Sequence, residues 1–126
     1  MSEPIVFISH FRVTPGRLED LKQRVREVTA ELEAEKPRTV LFSAYLDENG
    51  TNATFVHVFG DAAAMDLHFD GAEQRSAAAA DLLAPTGWEI YGTPSQAVIQ
   101  MMRQAATASN VSLSLTPSRL AGFLRA

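Results

Sequence analysis

Cysteine is absent from the 126-residue chain, which excludes disulfide staples, thiolate nucleophiles and cysteine-bound metal and fits a reducing compartment such as the cytoplasm. No apolar run approaches the roughly 20 residues that a membrane span needs, and the start, Met1-Ser2-Glu3-Pro4, lacks the basic region of a secretory leader. Positive charge is in the minority: 11 Lys and Arg against 15 Asp and Glu give a formal charge of −4. With no basic cluster either, nucleic acid and anionic membrane are excluded as default partners. Glycine-rich phosphate loops, Ser-His-Asp signatures and paired carboxylates are missing too. The expectation is one soluble, cytoplasmic domain.

What is present suffices for a core, since 46% of the residues are hydrophobic. Ile5 to Val13 alternates as a strand, with Ile5, Phe7, Ser9, Phe11 and Val13 on one face and Val6, Ile8, His10 and Arg12 on the other. After Thr14-Pro15-Gly16, the three- and four-residue spacing of Leu18, Leu21, Val25, Val28 and Leu32 predicts a helix from about Arg17 to Lys36, ended by Pro37. Val40 to Leu46 and Ala53 to Phe59 read as a hairpin around Asp47-Glu48-Asn49-Gly50-Thr51-Asn52.

The stretch from Thr54 to Phe69 organises the rest, as a strand, a Gly60-Asp61 corner and the start of a helix that carries two of the three histidines. Asp61 caps this helix, which breaks at Asp70-Gly71, where Asp70 and Glu73 have capping-box spacing. Its expected core stripe is Met65, His68 or Phe69, Ala72, Ser76, Ala79 and Leu83. Gly87 to Gly92 reads as a fourth strand. Thr93-Pro94-Ser95-Gln96 then opens a helix to about Ala105 that buries Val98, Ile99, Met101 and Met102. Val111 to Leu115 alternates as a short strand, and Thr116-Pro117 opens a last turn through Leu120, Phe123 and Leu124.

The order β-α-β-β-α-β is the ferredoxin-like, split-βαβ pattern of the α+β class, in which two helices cover one face of an antiparallel sheet. The other face carries Val6, Ile8, His10 and Val56 and needs its own cover. A second protomer's sheet is the economical solution, so a homodimer is expected. Residues 1 to 103 form the domain proper and 104 to 126 a C-terminal extension of it.

The run from Val6 through Arg12 to Pro15-Gly16, the segment from Phe55 to His68 with Asp61, and Glu89-Ile90-Tyr91-Gly92 before a capped helix resemble the antibiotic biosynthesis monooxygenase family of dimeric α+β barrels. The ending Leu120-Ala121-Gly122-Phe123-Leu124-Arg125 is similar to tails of some members. The resemblance implies a homodimeric barrel with a pocket between helices and sheet in each protomer. It also implies cofactor-free oxidation of a small aromatic, quinol or polyketide-like molecule, or else haem degradation. Members often carry an acidic residue and a tryptophan where this chain has His57 and Phe59. The haem-degrading branch resembles Asn, Trp and a proximal His where Ser9, His68 and Ala78 stand, so haem is disfavoured. The second histidine of the quinol-oxidising branch is replaced by Glu73.

A cofactor-free oxygenase needs a base that titrates near neutrality, and His57 and His68 are the candidate catalytic residues. Ser9 is a candidate hydrogen-bonding group for a substrate oxygen, Phe7, Phe11, Phe55 and Phe59 are candidate pocket walls, and Tyr45 and Tyr91 candidate phenolic donors. Each histidine also has a structural reading, as an imidazole satisfied within the core. Strand parity separates His10 from His57 and His68, which argues against a three-histidine metal site. No metal or other cofactor is expected. Two further function classes share the fold: a non-catalytic dimeric module that binds a small ligand, and an isomerase or decarboxylase in which a histidine moves a proton without oxygen.

Overall fold

The computed structural model describes residues 3–125. Nine elements follow one another: β1 (Ile5–Val13), α1 (Leu18–Glu35), β2 (Thr39–Leu46), β3 (Asn52–Phe59), α2 (Ala62–Phe69), α3 (Ala72–Ala78), β4 (Leu83–Tyr91), α4 (Gln96–Ser109) and β5 (Ser112–Thr116). Strands β2-β3-β1-β4 pair antiparallel in that spatial order, which is the ferredoxin-like arrangement. The fifth strand adds to β4 in parallel, after the α4 crossover that parallel pairing requires. The fold is therefore α+β, with a mixed five-stranded sheet.

Alternation assigns the two faces. In β1, Ile5, Phe7, Ser9 and Val13 are buried, and across the ladder stand Ala53, His57 and Phe59 of β3 with Trp88 and Ile90 of β4. Helices α2 and α4 close over this face with Ala64, Met65, Val98, Met102 and Ala106. At its other end Leu21 of α1 meets Val13, Ala53, Leu82 and Leu83. The opposite face carries half-buried Val6, Ile8, His10, Val56 and Val58, with Leu41 and Tyr45 exposed, and no helix covers it.

Short-range chemistry fixes the connections. The Asp47 carboxylate accepts from the side chain and backbone of Asn52 and from the backbone and hydroxyl of Thr51, closing the β2–β3 hairpin. Those bonds, the Asn52 amide first, hold its carboxyl at about 2. Asp61 caps α2 by accepting from the Ala64 amide at 2.8 Å and receives the Arg38 guanidinium on both oxygens at 3.0 Å.

Several expectations need correction. The second helix does break at Asp70-Gly71, but Gly71, at φ 84, is the cap of α3, and no side-chain capping bond forms there. Helix α3 buries none of its residues, so Ala72 and Ser76 are not a core stripe, whereas Ala79, its C-cap, packs half-buried against Leu21, Leu82 and their neighbours. Leu83 belongs instead to β4, which starts four residues before Gly87. Pro85 is compatible with that strand because β5 pairs only from Gly87 onward, and the register shift opposite His10 and Phe11 absorbs Thr86 as an extra residue. On α4 the buried positions are Val98, Met102 and Ala106, at four-residue steps, which turns Met101 outward at 47% exposure. Residues 117–125 form no regular turn and stay exposed.

Candidate functional site

The corner between β3 and α2 brings His57 and His68 together. His57 stands on the helix-covered face because it shares parity with Phe59, and Asp61 starts α2 so that its last turn returns His68 over the sheet. The two rings meet edge to face with centroids 5.1 Å apart, and both residues are buried, at 6% and 4% exposure.

Each ring has one polar partner. Nδ1 of His57 lies 3.1 Å from the Phe7 carbonyl oxygen. A carbonyl only accepts, so Nδ1 carries the proton and Nε2 of the neutral ring is left as a free lone pair. Nδ1 of His68 shares a 2.9 Å hydrogen bond with the Thr39 hydroxyl. Aromatic rings pack around the pair: Phe7 at 5.0 Å and Phe42 at 5.2 Å from His57, Phe59 at 5.0 Å and Phe69 at 6.2 Å from His68. At the end of α2, Arg75 donates to the carbonyl oxygen of His68 at 2.6 Å and Lys36 to that of Leu67 at 2.8 Å.

Desolvation dominates the electrostatics. Burial pushes His57 down from 6.5 to about 4, against the Phe7 hydrogen bond, which raises it, and with the Arg75 charge, which lowers it further. His68 falls to about 3, through burial first and then the charges of His57, Arg75 and Lys36. Both imidazoles are therefore neutral at pH 7, and the charged groups that act on them are all positive.

The other candidate residues distribute as follows. Phe7 and Phe59 touch the histidine pair. Phe11 and Phe55 pair with each other at 5.3 Å further along the same face, and Phe42 links Phe55 to His57. Ser9 is buried on that face, opposite Phe55 and Trp88. Tyr91 is not brought to the site. It pairs with Val6, takes the opposite parity, and donates its hydroxyl to Glu89 at 2.6 Å on the uncovered face. Tyr45 also stands on that face, 58% exposed. His10 is there as well, bound to Glu89, with Thr54 3.4 Å away. The uncovered face bears a depression of about 390 Å³ lined by His10, Thr54, Thr86, Glu89, Ser112 and Ser114 among others.

Thr39, Phe42, Phe69 and Arg75 belong to the site as well, although only Phe69 carried a sequence signal, as the alternative to His68 in the helical stripe. Both residues in fact face the core, since Phe69 packs 5.5 Å from Phe7. Among the described residues, no group of three or more His, Asp or Glu side chains is arranged to hold a metal ion.

No protein-family model and no curated protein matches the sequence, but solved structures match the fold. MupZ from Pseudomonas fluorescens superposes with a TM-score of 0.73 at 16% identity, over 98% of this chain and 96% of that one. A candidate antibiotic biosynthesis monooxygenase from Caulobacter crescentus gives 0.63 at 14% identity, over 75% and 92%. A further candidate, from Nitrosomonas europaea, gives 0.63 at 18% identity, over 74% and 92%. The resemblance read in the sequence thus holds at the level of the fold. No helix among the described residues is long and apolar enough to cross a membrane.

Proposed function

We propose that this chain is a cofactor-independent monooxygenase that oxidises a small aromatic, quinol or polyketide-like molecule between its helices and sheet. The observation that carries the reading is the pair His57 and His68: two neutral imidazoles, edge to face in an aromatic enclosure, one with its tautomer fixed by the Phe7 carbonyl. The fold shared with candidate antibiotic biosynthesis monooxygenases supports it.

In this reading His57 Nε2 accepts a proton from an acidic C–H or O–H of the substrate. The resulting anion is electron-rich enough to pass an electron to dioxygen, the co-substrate, and the two radicals combine at carbon to give a peroxide anion. His57 returns its proton to that anion. The hydroperoxide then loses its remaining C–H proton and hydroxide, so that a CH₂ group and O₂ become a carbonyl and water. Phe7, Phe42, Phe59 and Phe69 stack on the substrate and exclude water. Thr39 holds the ring of His68, which donates to the developing oxyanion from Nε2 when the hydroxyl donates to Nδ1. Two such chains pair through their uncovered sheet faces, where Val6, Ile8, Val56 and Val58 lack cover within one chain, and complete the barrel.

Oxygen uptake by metal-stripped protein, with anthrone-like aromatics and quinols, tests the reading. Turnover above autoxidation should fall by about 10²- to 10⁴-fold in His57→Ala, the usual worth of a general base. Background uptake with retained binding assigns the chain instead to the binding modules. The ring contacts on several sides of His57 favour that second reading. An oxygen-independent change in a bound ketone assigns it to the isomerases.

A further inference from the structure

We infer that Phe69 is the gate of the His57–His68 site and Arg75 its latch: a ligand enters when the last turn of α2 and helix α3 swing away from the sheet together. This rests on the helix–sheet location proposed above for the substrate. In the closed chain the pair is packed shut. The ring centroids of Phe7, Phe42, Phe59 and His68 all lie within 6.1 Å of that of His57, and both histidines are buried. Interiors packed at this density hold no spare room for a second planar ring, so one of the present rings must give way.

Their anchorage decides which one. Phe7, Phe42 and Phe59 are set in paired strands. Of the phenyl rings around the pair, only Phe69 lies outside the sheet: it is half-buried, ends α2 and rests on Phe7 at 5.5 Å. Just beyond it Asp70 is extended, Gly71 takes φ 84, and α3 buries none of its residues. Segments with so few buried apolar side chains are where local opening begins, and a residue such as Gly71 absorbs the change in backbone angles. Polar bonds hold the segment instead. From α3, Arg75 donates to the carbonyl oxygens of His68 at 2.6 Å and Asp70 at 3.3 Å. The carbonyls at a helix C-terminus lack amide partners within the helix and form its negative end, so a guanidinium there closes the last turn. Gly71 lets it fold over the turn, since a Cβ at that position would stand 3.2 Å from Nη1 of Arg75. From α1, the negative charges of Glu31 and Glu35 attract the same guanidinium, and Lys36 donates to the Leu67 carbonyl oxygen at 2.8 Å. When the guanidinium lets go, the last turn of α2 loses its tie and Phe69 separates from Phe7. The gap admits one planar ring onto Phe7, beside His68, and reclosure stacks Phe69 on it.

Access to the imidazoles reads the gate without substrate or oxygen. Diethyl pyrocarbonate modifies neutral imidazole, and peptide mass spectrometry gives its rate at each histidine at pH 7.5. His10, on the other sheet face, serves as the internal reference. Relative to His10, His57 and His68 should react at least tenfold faster in Arg75→Ala and in Phe69→Ala than in the wild type, with an unchanged circular dichroism spectrum. Arg75→Lys, which keeps a cation and a donor, should return most of the protection. Asp47→Ala loosens the β2–β3 hairpin instead and measures what lost stability alone does. An unchanged rate in either Arg75→Ala or Phe69→Ala overturns the inference. So does a Lys variant as reactive as the Ala one, or an equal acceleration in Asp47→Ala, which would mean that the rings are reached by general unfolding. Gated access in a protein that consumes no oxygen with any aromatic upholds the gate and removes the oxygenase.

Discussion

Acid should weaken this fold through the two imidazoles buried at the β3–α2 corner. In the unfolded chain each accepts a proton near pH 6.5, whereas in the folded chain burial delays protonation to about 4 for His57 and about 3 for His68. Between those limits the unfolded state binds more protons, so stability is full above pH 6.5 and falls as pH drops, by about 1.4 kcal/mol per unit for each group. At pH 5 that amounts to about 2 kcal/mol per imidazole. The pair loses about 2 to 4 kcal/mol rather than a strict sum, because the charge of His57 is itself one cause of the His68 shift. A typical domain has about 5–15 kcal/mol to lose. Asp47, held at about 2 against an ordinary 3.8, contributes its own acid sensitivity as pH falls from 3.8 towards 2, outside the range from pH 7.5 to 5.0. Urea unfolding at pH 7.5 and pH 5.0, followed by the fluorescence of the single, buried Trp88, measures the loss directly. The control is His57→Phe/His68→Phe, which removes both buried imidazoles and leaves every other group as in the wild type. Wild type should lose about 2 to 4 kcal/mol more than the control between the two pH values. Equal losses would mean that water reaches the rings, and the desolvation argument would fail.

Three further outcomes test the supports of the site. Thr39→Val removes the hydroxyl bound to His68 Nδ1 and leaves a buried imidazole nitrogen unpaired, at an expected cost of about 1–3 kcal/mol in chemical denaturation. Asp61→Ala removes the α2 cap and the Arg38 contact; a loss of about 1–2 kcal/mol is expected, and a change below 0.3 kcal/mol would show that the corner holds without its cap. Asp47→Ala deletes the acceptor for Thr51 and Asn52, so hydrogen exchange at those two amides should accelerate while the amides of β1 keep their protection.

The face assignments were legible in the sequence because strand alternation has a period of two and both β1 and β3 keep it without interruption. Once Phe7, Ser9 and His57 share a face, the Gly60-Asp61 corner is short enough to bring α2 back over them, and His68 follows. What depends on pairing between distant strands was not legible. Phe42 faces His57 because of a register shift between Thr39 and Leu41, and nothing local in β2 announces it. The fourth strand was read from Gly87 but begins at Leu83, and Pro85 is accommodated because it lies where β4 is still an edge. Tyr91 shares a strand with Ile90 and Trp88 and is turned to the other face by parity. Met101 and Met102 look alike in sequence, and only the four-residue step from Val98 decides that Met102 goes inside.

The sheet also sorts its histidines by the kind of proton chemistry open to them. On the uncovered face His10 has a carboxylate partner, Glu89, whose own pKa is lowered by Tyr91 and then by His10; a positive charge there is paired and partly hydrated. On the covered face the charges that reach His57 and His68 are those of Arg75 and Lys36, and His68 further feels His57. Among the described residues the charge that shifts His57 is positive, so an imidazolium there is disfavoured. In the proposed reaction the proton leaves a substrate that becomes an anion at the same moment, and that anion supplies the missing partner in a dry, low-dielectric enclosure. Under that proposal, the burial that makes His57 a weak base toward water ties its protonation to substrate ionisation and places the two charges next to each other.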